Sequence, residues 1–122
     1  TLRGVSSGAL IVSAHLRESV FHTEWIAWLK DSPYTLIVLM AHSFAERIRD
    51  EALAQGIDAN LPAAFISQVS HPSQKAIIGT LGELPQMAQM CENPSILIVG
   101  KAVRESLNMP FMGARIVLNS LS

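Results

Sequence analysis

The sequence predicts an α/β domain, a mixed sheet of about five strands flanked by helices. Two observations carry this. Short apolar runs of strand length recur along the chain (GALIVS, YTLIVLM, AAFISQV, KAIIGTL and SILIV), and segments with helical spacing stand between them. At 122 residues there is room for one core and not two, so a single domain over 1–122 is expected.

Gly8 to Ser13 combines apolar and β-branched residues and reads as a buried strand. Thr23 stands where an N-cap belongs, ahead of the short helix EWIAWLKD, with Glu24 near its positive end. Trp25, Trp28 and Leu29 share one helical face there, and Pro33 ends the element. Tyr34 to Met40 is apolar throughout, which predicts a central strand covered on both faces. Ser43 is expected to cap the next helix, FAERIRDEALAQ, with Phe44, Ile48 and Leu53 as its apolar stripe. Glu46, Asp50 and Glu51 lie on its wet side, and Gly56 ends it.

Ala63 to Val69 follows Pro62 as a further strand, and the turn-like SHPSQ leads to Lys75 to Leu81. These two are expected to pair antiparallel. Glu83 to Cys91 suits helical spacing better than strand alternation. Ser95 to Val99 is a second fully apolar strand, stopped by Gly100, and Lys101 to Leu107 holds one or two helical turns. The last dozen residues are ambiguous, with Ala114 to Leu118 read either as a strand or as tail.

Composition narrows the function classes. Hydrophobic residues make up 49% and charged residues 16%, which excludes a disordered chain and leaves apolar surface for a partner domain or subunit. Nine basic against ten acidic side chains give no field for nucleic acid. No apolar run approaches the roughly 18 residues of a membrane span, so no membrane partner is expected. The single cysteine, Cys91, fits a reducing, cytoplasmic setting. The first residue is Thr1 rather than methionine, so either an initiator was trimmed or the chain is part of something longer. Histidines at 15, 22, 42 and 71 lack metal-site spacing, so no metal is expected. Ser6, Ser7 and Ser13 show no nucleophile-elbow pattern.

Five segments in order carry a resemblance. IVSAHLRE (Ile11 to Glu18) is similar to a V-T-G-H-L segment, with Trp25 in the place of the tryptophan that often follows it. TLIVLMA (Thr35 to Ala41) resembles T-L-V-x-Y-M-G. AAFISQVSHPSQKAIIGTL (Ala63 to Leu81) parallels A-V-V-E-x-G-T-x-x-Q-R-x-x-x-G-T-L, and NPSILIVGKAV (Asn93 to Val103) resembles S-P-x-L-I-I-x-G-x-V-V. Together these resemble the tetrapyrrole methylase family, most of all the methyltransferase modules of siroheme synthases and uroporphyrinogen-III C-methyltransferases. The likeness spans about Arg3 to Leu107 and leaves residues 108–122 outside it as a tail.

The resemblance implies the second domain of a two-domain enzyme that clasps S-adenosylmethionine between its halves, without a metal. The chain would be the C-terminal half, the N-terminal domain with its Gly-rich loop being absent, and GVSSG (Gly4 to Gly8) reads as a linker instead. It further implies a tetrapyrrole substrate, the missing N-terminal domain as partner, and a homodimer. Met40 and Val69 match cofactor-binding positions, and Ala41, Ser70 and His15 are candidate lining residues; no catalytic residue is implied in this half. His15 is read either as a polar group near the site or as a hydrogen-bonded structural histidine. His42 and His71 are further candidates for the same mouth. Lys101 is read as a contact to substrate carboxylates or as plain surface, and Trp25 and Trp28 as core or interface aromatics.

The chain also departs from the pattern. Ser67, Val69 and Ser70 replace the glutamate, glycine and threonine of E-x-G-T, and Ala41 replaces a glycine. Valine adopts positive φ poorly, so the chain alone is expected to be inactive. The alternative is a non-catalytic remnant or dimerisation module of the same fold. The geometric expectation is definite: the strand ending at Met40 and the turn around Val69 meet as one wall of a cleft.

Overall fold

The computed structural model of the chain describes residues 8–16, 20–21, 23–30, 34–68, 73–105 and 114–118. In chain order the strands and α-helices are β1 (Gly8–Ser13), β2 (His15–Leu16), β3 (Val20–Phe21), β4 (Tyr34–Leu39), α1 (Ala45–Ala54), β5 (Pro62–Ser67), β6 (Lys75–Thr80), α2 (Leu84–Gln89), β7 (Ser95–Val99), α3 (Ala102–Glu105) and β8 (Ala114–Val117). β2 and β3 form a separate two-stranded ribbon. The other six strands make one mixed sheet in the order β1, β4, β7, β5, β6, β8. Six strands replace the expected five because Ala114–Val117 is a strand after all, pairing parallel with β6.

Period-two alternation sorts the side chains onto two faces. One row across all six strands runs Val12, Val38, Leu97, Phe65, Ile77 and Ile116. This face carries the main core with Trp25, Ile26, Ile48, Leu84 and Met87, all without exposed surface. Each such side chain contributes about 1.5–3 kcal/mol by leaving water. On the opposite face the row is Ile11, Ile37, Ile98, Ala64, Ile78 and Val117. There Ala64, Ala76, Ile78 and Val103 make a second, smaller cluster, with α3 packed on β5.

Two burial expectations change as a result. β1 is an edge strand with Ile11 69% exposed, not a buried one. β4 is second from that edge; Leu36 and Val38 are fully buried while Leu39 on its other face is 39% exposed. A continuous apolar run tells nothing about strand order, and strand order decides which face is covered.

The helices differ in detail from the pattern. Glu24–Leu29 is a 3-10 helix rather than an α-helix, and the Thr23 side chain makes no capping bond. Trp25 and Leu29 are buried, whereas Trp28 is half-exposed. His42–Phe44 forms a 3-10 turn, so α1 begins at Ala45 and Ser43 does not cap it. The buried stripe of α1 is Ala45, Ile48 and Ala52, with Phe44 packed beside it and Leu53 out in solvent. Gly56 (φ 82°) does end this helix: Ile57 N donates to Ala52 O and Gly56 N to Leu53 O, a paired Schellman closure. Among the described residues no helix is long and apolar enough to cross a membrane.

Candidate functional site

β1 and β4 run parallel, and β7 runs antiparallel between β4 and β5. The C-terminal ends of β1, β4 and β5 therefore lie at one end of the sheet, around the start of β7. Leu39 and Ile66 both pair with Ile96, and Ser67 pairs with Ser95. Two strand spacings set β4 and β5 roughly 10 Å apart at this level. Both strands end in a left-handed residue, Met40 (φ 59°) and Gln68 (φ 53°). Such φ values are uncommon away from glycine and cluster where a chain must turn sharply at a site.

Hydrogen bonds fix both turns. Ala14 N donates to Leu39 O at 3.0 Å, and Gln68 N donates to Pro94 O at 3.1 Å. The Ser73 hydroxyl donates to the Gln68 side-chain oxygen at 2.7 Å, bracing the far side of the β5–β6 turn. At the end of β4, against the turn that leads into β7, opens a pocket of about 530 Å³, lined by Met40, His42, Ser43, Phe44, Asn93, Pro94 and Ser95. Met40 is 57% exposed there. The Arg47 guanidinium lies over the Phe44 ring, 5.8 Å from its centroid, which puts a cation beside the pocket's aromatic wall.

Cys91, two residues before the pocket-lining Asn93, is 5% exposed. Burial pushes its thiol pKa above the ordinary value; hydrogen bonds with the Ser67 and Ser95 side chains and the Lys75 charge oppose that shift without cancelling it. A thiol held neutral in this way is a poor nucleophile. Among the described residues no group of three or more His, Cys, Asp or Glu is placed to hold a metal ion.

The structure brings some of the expected residues together and not others. Met40 stands at the pocket. Ala41 follows it but buries its methyl in the main core. His15 belongs to β2, whose backbone starts beside the same sheet end. Val69, Ser70 and His71 lie outside the described residues, as does His22. Lys101 follows the C-terminal end of β7, where Gly100 N donates to Pro62 O, and so sits at the opposite end of the sheet from Met40. Asn93, Pro94 and Ser95 went unread as site residues, because their place depends on β7 inserting between β4 and β5.

Comparison with known proteins places this geometry. No protein-family model matches the chain. Siroheme synthase 2 of Klebsiella pneumoniae is 34% identical over 110 residues, covering 88% of this chain and 24% of that protein. A uroporphyrin-III C-methyltransferase of Thermus thermophilus, crystallised with S-adenosylhomocysteine, superposes with a TM-score of 0.74 at 28% identity, over 86% of this chain and 47% of that one. A cobalt precorrin-4 methyltransferase, 14% identical with a TM-score of 0.69 over 84% and 44% of the two chains, shares the fold. The chain thus spans about a quarter of the length of the curated relatives it matches.

Proposed function

Because the chain belongs to the tetrapyrrole methylase family by sequence and fold, we propose that it is the C-terminal half of an S-adenosylmethionine-dependent C-methyltransferase acting on uroporphyrinogen III or a related tetrapyrrole, in the siroheme or cobalamin pathway. The observation that carries this is the pocket at the C-terminal end of β4, lined by the left-handed Met40 and by Asn93, Pro94 and Ser95 ahead of β7. Ligands of layered α/β domains sit beyond strand C-termini.

The residues present suit an adenosine group. The pocket volume lies within the 300–1,000 Å³ usual for small-ligand sites, about 530 Å³ here. The Met40 thioether and Phe44 ring offer apolar contact to a flat purine, while Asn93 and Ser95 offer polar groups at the rim. When bound, the cofactor supplies a sulfonium methyl that is already electrophilic. The work of this chain is then to orient the adenosine end and exclude water from one side of the cleft. A preceding N-terminal domain would close the other side, in a cytoplasmic homodimer.

A second reading, a non-catalytic or dimerisation module of the same fold, draws on Ser67. It stands where the family pattern has glutamate, is 3% exposed, and turns its hydroxyl to Lys75 O within its own hairpin. Calorimetric titration with S-adenosylhomocysteine separates the two. The enzyme reading expects weak binding by this chain, at least about tenfold tightened when the preceding half is restored, a gain of roughly 1.4 kcal/mol. Equal affinities with and without that half would contradict a site divided between two domains.

A further inference from the structure

His42 directs its imidazole inward. Nε2 lies 2.8 Å from Ala88 O and 2.8 Å from Cys91 O, and the ring meets Phe65 edge to face at 6.1 Å between centroids. Two carbonyl acceptors on one ring nitrogen require that nitrogen to carry the proton. Both carbonyls belong to the C-terminal end of α2 and the turn after it; Ala88 O also accepts from Cys91 N at 3.2 Å, so the imidazole adds a further donor to that oxygen. That turn runs on into Asn93, Pro94 and Ser95, one side of the pocket; Met40, Ser43 and Phe44, the chain neighbours of His42, form the other.

We propose that His42 is a positioning residue of this pocket: its Nε2–H fastens the turn after α2 to the end of β4, so that the two sides of the pocket are held at a fixed separation before any ligand arrives. Its importance to binding rests on the functional reading above; the brace itself does not. The two carbonyls are 46 and 49 residues away in sequence; the β4–β7 ladder reaches Leu39 and Ile96, so it anchors the start of β7 and leaves the end of α2 to the imidazole. Preorganisation of this kind lowers the ordering cost of binding.

Cys91 is a reporter already in place, the chain's single cysteine and buried beside the second carbonyl. Its native-state labelling by an aromatic disulfide reagent reads opening of the turn. His42→Phe keeps an aromatic ring against Phe65 and removes the donor. His42→Gln keeps an N–H at about the reach of Nε2. Phe and Ala variants are expected to speed Cys91 labelling about tenfold, with Gln restoring it to within about twofold of the parent. Hydrogen exchange should rise over residues 91–97 in the Phe variant and leave β6 protected. Labelling unchanged in the Phe variant would overturn the brace. So would a Gln variant as fast as Phe, or a loss of protection spread evenly over the sheet. If His42→Ala does not fold, the Phe and Gln pair decides. S-adenosylhomocysteine enters none of these readouts, so a parent chain that ignores it sinks the functional reading alone.

Discussion

Gly79 and Thr80 show how a motif shared with methyltransferases can be structural. A Cβ on Gly79 would sit 3.0 Å from Glu83 Oε1, from Leu118 Cδ1 and from Met87 Sδ. The Glu83 carboxylate is fixed there because it accepts from the Thr80 backbone N–H at 3.1 Å and from the Thr80 hydroxyl at 2.9 Å. Leu81, the next residue, is fully buried. Glycine for close approach, threonine for the capping box, leucine for the core: G-T-L here leads into the 3-10 turn Leu81–Glu83 ahead of α2, and none of the three lines the pocket. Gly79→Ala is expected to cost about 1–3 kcal/mol by overpacking. Thr80→Ala should cost about 1 kcal/mol through the lost cap. Urea denaturation measures both, and neither should alter Cys91 labelling beyond the global loss of stability.

At the scale of elements, α1 separates pattern from packing. Ile48 has no exposed surface, whereas Leu53, assigned by spacing to the same stripe, is 42% exposed. Ile48→Ala is expected to destabilise by about 2–5 kcal/mol, and Leu53→Lys to stay within about 0.5 kcal/mol of the parent. Equal effects in a denaturation series would show that the helix packs in another register. Five strands of the main sheet, the β5–β6 hairpin and the helix after Glu83 were legible because local apolar periodicity specifies them; the short β2–β3 ribbon was not read, and β8 stayed ambiguous. The 3-10 form of Glu24–Leu29, the exposure of Trp28 and the edge position of β1 were not, since each follows from neighbours distant in sequence. The candidate site divides the same way. Met40 was readable from the motif around it. The His42 bonds to Ala88 and Cys91, and the place of Asn93 to Ser95, exist only once β7 lies beside β4.

Across the whole molecule, one topological feature makes the site. β7 enters antiparallel between β4 and β5, so its preceding turn is flanked by two strand ends that each finish in a left-handed residue. The same sheet leaves part of one face open, with Ile11 and Leu39 exposed near the β1 edge. The placement of Met40 can be tested directly with methyl-labelled methionine. On titration with S-adenosylhomocysteine, the Met40 methyl resonance is expected to shift progressively even at millimolar dissociation constants, about −4 kcal/mol of binding. Met87, sealed in the core on the buried face of α2, should stay unmoved. A Met40 signal that does not move at ligand concentrations that perturb other residues of the chain would contradict the assignment of this sheet end as the cofactor wall.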